Sequence, residues 1–202
     1  MKSIIFALLF VPSLCSAASR VVMLDPDSGK TAPIDSEVAA QVVITEEHHQ
    51  AHQGKQYRAY ATFRDLAANA TGYVLIQTTT TYDAHIHISY NVGGNFMLYF
   101  SSGAVASSTT SIRTPNLNQE DYEGVSSNTK FYKVNTLTSA GTYIADETFI
   151  EGGSGRQSAG SSGSGAIEWI LNSGKAYLLG MENLGSQAKT ATMIIQYYEV
   201  AK

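Results

Sequence analysis

Residues 84–92, Ala-His-Ile-His-Ile-Ser-Tyr-Asn-Val, alternate without a break, and this run constrains the fold more than any other feature of the chain. Successive side chains of a strand point to opposite faces. Ala84, Ile86, Ile88, Tyr90 and Val92 therefore share one face, and His85, His87, Ser89 and Asn91 the other. A helical period would scatter the same apolar residues around the axis. Gly93-Gly94-Asn95 follows as a turn and Phe96 to Phe100 predicts a partner strand, so 84–100 is the strongest hairpin candidate.

The same period recurs along the chain. Tyr57 to Phe63 alternates, and Gly72 to Gln77 is a short buried run. Further strands are expected at Lys130–Val134, Thr142–Phe149, Lys175–Met181 and Thr190–Val200. Ala166 to Leu171 fits a strand or one helical turn, and no helix of ten or more residues is expected beyond the N-terminal segment. Many short strands separated by Gly and Asn turns predict an all-β chain, an antiparallel β-sandwich of jelly-roll type with an N-terminal arm. No internal repeat appears at a fixed period, which disfavours solenoids and propellers.

The ends and loops divide the chain further. Residues 1–17 have a secretory-signal pattern: Lys2, an apolar stretch from Ile4 to Leu14, and Cys15-Ser16-Ala17 before a cleavage point. The stretch is shorter than the roughly 20 residues a membrane-spanning helix needs, and no membrane association is expected after its removal. Residues 18–40 read as an arm or linker, with the turn sequence Asp25-Pro26-Asp27-Ser28-Gly29, and 41–202 as the sandwich. Residues 101–128 read as a polar irregular loop. Residues 152–165 are nearly all Gly and Ser, a stretch expected either to form a floppy tip or to be ordered by a neighbouring subunit.

Composition excludes several functions. Thirteen basic against 17 acidic residues leave no surplus to neutralise phosphates, so no nucleic-acid partner is expected. Twelve Tyr and 7 Phe supply apolar area enough to fold. The single cysteine rules out an intrachain disulfide framework.

The five histidines form two groups. His48, His49 and His52 suggest a zincin-like pair, but His49 stands where the catalytic Glu should follow His48. His85 and His87 share a strand face, as in cupins, yet Ile88, Ser89, Tyr90 and Asn91 supply no Glu. A metal site joining His85 and His87 to one of His48, His49 or His52 is geometrically allowed. The simpler expectation is that all five are strand and loop residues bonded to neighbours or to a partner subunit, with no metal and no cofactor. No G-x-S-x-G elbow or phosphate-cradling loop is present. Asp146, Glu147, Glu151 and Glu168 offer only the carboxylate pairs that any chain of this size contains. Glu168 itself reads as a solvated or hydrogen-bonded group ending the Gly/Ser stretch. Asn69-Ala70-Thr71 matches a glycosylation acceptor, a pattern common by chance. No catalytic residue is expected.

The order of pieces over residues 46–200 carries one more signal. Glu47-His48-His49-Gln50-Ala51-His52-Gln53-Gly54 leads into an aromatic strand, followed by the Ala84-His85 strand and the Gly141-Thr142 turn. Then come Arg156, Glu168-Trp169-Ile170-Leu171, Tyr177-Leu178, Asn183 and the closing Tyr197-Tyr198-Glu199. This series resembles a family of small virion proteins of tailed bacteriophages, which open on His-His-Glu-x-His-x-Gly and close on Trp-Tyr-Glu. Gln50 and Tyr197 depart from that pattern. The resemblance implies a β-sandwich component of the particle, of head decoration or cement type, without catalytic residues. The expected partners are capsid subunits or further copies of the chain, in a homo-oligomer. Tyr197, Tyr198, Arg156 and Trp169 are candidates for such interfaces, although the closing Tyr197-Tyr198-Glu199 reads first as core and cap of the last strand. The signal-like segment keeps a second reading open, a secreted extracellular β-sandwich that binds carbohydrate or self-assembles at the cell surface. A cupin-type metalloenzyme is a third.

Overall fold

A computed structural model describes residues 34–35, 40–41, 50–118, 126–150, 160–161 and 168–202. His48, His49, Arg156 and the signal-like segment lie outside the described residues. Within residues 1–44, β1 (Ile34–Asp35) pairs antiparallel with β2 (Ala40–Gln41). Residues 45–202 form a separate unit.

That unit contains β3 (Gln56–Leu66), β4 (Thr71–Gln77), β5 (Tyr82–Val92), β6 (Phe96–Ser102), β7 (Val105–Ser111) and β8 (Lys130–Ser139). It continues with β9 (Thr142–Ile150), β10 (Gly160–Ser161), β11 (Trp169–Leu171), β12 (Ala176–Asn183) and β13 (Lys189–Ala201). One sheet has the order β10-β5-β13-β3, with β11 also on β5; the other is β7-β8-β4-β12-β6-β9. If the β7–β8 hairpin and β10 are set aside, eight strands remain in the orders β3-β13-β5-β11 and β4-β12-β6-β9. In chain order these are first, eighth, third, sixth and second, seventh, fourth, fifth. That is the doubled Greek key of a jelly roll, as the alternation and turn spacing predict.

The core lies between the sheets. Tyr57, Ala59, Ala61 and Phe63 of β3, Ala84, Ile86 and Val92 of β5, and Ala191, Met193, Ile195 and Tyr197 of β13 form one inner face. Val74 and Ile76, Tyr177, Leu179 and Met181, Phe96 and Phe100, and Phe131 form the other. Ile88 and Tyr90 pack at its margin, so the predicted apolar face of 84–92 is the inner one.

Two expectations from the sequence need correction. Strands β5 and β6 are not a hairpin: they belong to different sheets. Gly93-Gly94-Asn95 turns a corner, with Gly93 N donating to Thr190 O at 3.1 Å and Asn95 O accepting from Leu184 N at 2.9 Å. The long β13 offers β5 a ladder from Ala191↔Val92 to Ala201↔Tyr82, which no short local partner can match. The stretch 101–128 is also not all loop, because it holds β7. That strand is exposed at nearly every position and so carries no apolar alternation to betray it.

The β7–β8 hairpin is an addition to the eight-stranded plan. Gly103 and Ala104 alone link β6 to β7, although β7 stands four strands away in the sheet order. Four strand spacings are roughly 19 Å, and three Cα steps reach at most about 11 Å. The hairpin must therefore fold back over the outer face of its own sheet. A second apolar cluster marks the overlap. Leu75 and Leu178, on the outer face of β4 and β12, are buried with Ala104 against Ala106, Tyr132, Val134, Leu137 and Ala140.

Candidate functional site

The outer face of the four-stranded sheet gathers the polar side chains that the sequence singles out. Because Ala84 and Ile86 point inward, His85 and His87 point outward. Register sets Tyr198 opposite His85 and Gln196 opposite His87 across the β5–β13 pair, and Ile170 opposite His85 across β5–β11. Arg58 of β3 extends the row, its Nη2 donating to Gln196 Oε1 at 3.0 Å. Further along the same face, the Thr62 and Thr192 hydroxyls meet at 3.1 Å.

Glu168, just before β11, draws this row together. Its Oε1 accepts from Tyr198 OH at 2.6 Å and from His85 Nδ1 at 3.0 Å, with His87 Nε2 at 3.9 Å. A carboxylate can only accept, so His85 carries a proton on Nδ1. The His85 ring stacks on Tyr198 with centroids 4.8 Å apart. Burial pushes the Glu168 carboxyl up, but the hydrogen bonds from Tyr198 and His85 and the charge of both imidazoles outweigh it. The net effect holds the carboxyl below its ordinary value.

The positions directly after His85 and His87 hold no carboxylate, and local spacing gives no sign of one elsewhere. The partner comes from 81 positions beyond His87, brought there by the β5–β11 ladder. The cluster faces away from the space between the sheets, so it does not form an interior site of cupin type. Among the described residues, no group of three or more His, Cys, Asp or Glu side chains is placed to hold a metal ion. His52 is exposed, and its carbonyl accepts from Asn118 Nδ2 at 3.4 Å.

Comparison with protein-family models, curated proteins and solved structures finds no match. Several of the described residues in that ordered series have clear physical roles.

Tyr197 is fully buried as a core side chain of the last strand, and so is not presented to a partner by this chain. It shares the parity of Met193 and Ile195 and stacks with Tyr57 at 5.5 Å. Its OH donates to Ser127 Oγ at 2.6 Å; Ser127 in turn donates to Thr129 O at 2.7 Å, leaving Thr114 Oγ1 as the donor at 3.2 Å. Burial raises the Tyr197 phenol far above its ordinary value. Removing the hydroxyl as Tyr197→Phe is expected to lower unfolding free energy by about 1–2 kcal/mol, measurable by urea titration. Glu199, also buried, caps the same loop: its carboxylate accepts from Asn128 N at 3.1 Å, Asn128 Nδ2 at 2.9 Å and Thr129 N at 2.5 Å. Tyr198 faces outward yet is only 6% exposed, covered in part by the cluster it bonds. Trp169 is half-buried, edge-on to Phe100 at 5.2 Å.

Large apolar side chains that do reach solvent lie elsewhere. Tyr60 of β3 is 48% exposed, Tyr143 and Ile144 of β9 are 60% and 41%, and Ile170 of β11 is 57%. β3 and β9 are edge strands of their respective sheets, and among the described strands neither has a second ladder partner.

Proposed function

We propose that this chain is a non-enzymatic structural protein of a virus particle, decorating or stabilising the capsid surface through contacts with capsid subunits or copies of itself. The observation that carries the reading is the jelly-roll order combined with edge strands that present Tyr60, Tyr143 and Ile144 to solvent. Exposed aromatic residues on weakly charged surfaces suit subunit interfaces, where tyrosine is enriched and lysine and glutamate are depleted. Only 15% of the chain is charged, against roughly 25% in ordinary soluble domains. Jelly rolls recur in viral capsids and lectins alike, so the fold alone does not decide between particle and secreted roles. The ordered resemblance over residues 46–200 favours the particle.

Particles assembled without this chain are expected to disrupt at a temperature several degrees lower than complete ones, on the order of the shift produced by losing a stabilising bound subunit. Adding the purified protein back should restore the midpoint and saturate at a fixed number of copies. Unchanged particle stability, or unsaturable binding, would contradict the proposal. Recovery of a mature chain beginning at Ala18 from culture supernatant would instead favour the secreted reading.

A further inference from the structure

We propose that His85, His87, Glu168 and Tyr198 form a pH-responsive clasp that holds β11 on the four-stranded sheet more firmly in mildly acidic than in neutral solution. Among the described residues, little else fixes that strand from outside. β11 makes three pairs with β5, Trp169↔Ile86, Ile170↔His85 and Leu171↔Ala84. Leu171 and Trp169 anchor it inward, while Ile170 lies largely in solvent. Glu168 supplies the outward tie, and its Oε1 is the point on which Tyr198 and both histidines converge.

Imidazole is the side chain that changes charge between pH 8 and 5. A neutral His85 already gives the Glu168 carboxylate a hydrogen bond assisted by the carboxylate's charge. A protonated one adds the attraction of a full positive charge to that bond. His87, at 3.9 Å from the same oxygen, adds a second positive charge on protonation. The neighbouring groups only partly offset this. Asp83, on the same outward side of β5, favours imidazolium, although its Oδ1 already accepts from Ser173 N at 2.6 Å. Lys202 of the chain end donates to Ser173 Oγ at 3.3 Å. Arg58 of β3 opposes imidazolium from behind Gln196, and β13 contributes Tyr198 and Gln196, both uncharged at these pH values.

The sign follows from the two kinds of group. A carboxyl held low in the folded state contributes stability above its usual range, and that contribution is lost as pH falls through the lowered value. Imidazolium pairing appears as pH falls below neutrality. The clasp is thus tighter in mildly acidic than in neutral solution, and the carboxylate's share is lost only below the ordinary carboxyl range.

Trp169 is the only tryptophan in the chain, so its fluorescence reports on β11 directly. In the full chain, the acrylamide quenching constant of Trp169 is expected to fall by about twofold between pH 7.8 and 5.5, the scale of effect of one partly exposed ion pair. Glu168→Gln, and separately His85→Gln with His87→Gln, should abolish that change. A wild-type constant that does not fall, or a Glu168→Gln protein that keeps the full change, overturns the proposal. Should either variant fail to fold, hydrogen exchange on the wild type decides. Protection of the Leu171 amide, which belongs to the hydrogen-bonded pair Leu171↔Ala84, corrected for intrinsic pH dependence, must rise on acidification relative to amides of β12; a constant ratio refutes the clasp.

Discussion

Gly141→Ala is expected to lower the unfolding free energy by about 3–5 kcal/mol, at the upper end of what a single substitution produces. Gly141 has a φ of 77° and joins β8 to β9. A Cβ there would penetrate the Ser102 carbonyl oxygen and crowd backbone atoms of Gly103 and Ala104. Those atoms belong to the main chain, not to the tip of a flexible side chain, so the clash cannot be relieved by a rotamer change. Both conditions that make glycine necessary are met at once: left-handed backbone and close approach of another segment. The same crossing anchors the β7–β8 hairpin, which covers Leu75 and Leu178. The variant should therefore also lose protection of the β7 and β8 amides in hydrogen exchange, before those of β13. Equal stability of variant and parent in urea titration would show that the hairpin is not seated as described.

Asn183→Ala ranks beside it, with an expected loss of about 3–5 kcal/mol. The side chain is fully buried. Its Nδ2 donates to Leu66 O at 2.8 Å, Ala67 O at 3.2 Å and Gln187 O at 2.8 Å, while its Oδ1 accepts from Gly185 N at 2.9 Å. Alanine strips the partner from three carbonyls and one N–H at the end of the sandwich, where the β3–β4 turn meets the β12–β13 turn. Asn183→Asp separates shape from chemistry. It keeps the volume and the acceptor but turns a second oxygen toward three carbonyls, so it should be no better tolerated than alanine. If Asn183→Asp retains parental stability at neutral pH, the donor role assigned to Nδ2 is wrong.

Much of this fold is legible in the sequence, and the exceptions have physical causes. Strands β3, β4, β5, β12 and β13 have one face in the core, so burial writes apolar periodicity into their residues. β7 has no buried face and leaves no such mark. The expected 84–100 hairpin fails for another reason. Gly93-Gly94-Asn95 announces a reversal, but the turn residues do not say whether the chain comes back in the same sheet or crosses to the other. That choice is made by β13, about a hundred residues later.

The cluster around Glu168 is half legible. Alternation places both histidines on one face, and Glu168 reads as a solvated or hydrogen-bonded group, as it is. Their meeting depends on a three-residue strand paired with a segment far away in the chain, and local spacing carries no trace of it. The closing Tyr197-Tyr198-Glu199 separates by parity into a core ring, an outward phenol and a buried cap.

Whether this jelly roll is a particle-surface subunit is tested most directly by quantitative mass spectrometry of virus particles purified on a density gradient. Peptides from residues 45–202 are expected in a fixed, repeating ratio to the major capsid subunit, with that ratio unchanged through further purification. Particles that carry no such peptides, while the chain accumulates free in the medium, would contradict the proposed role.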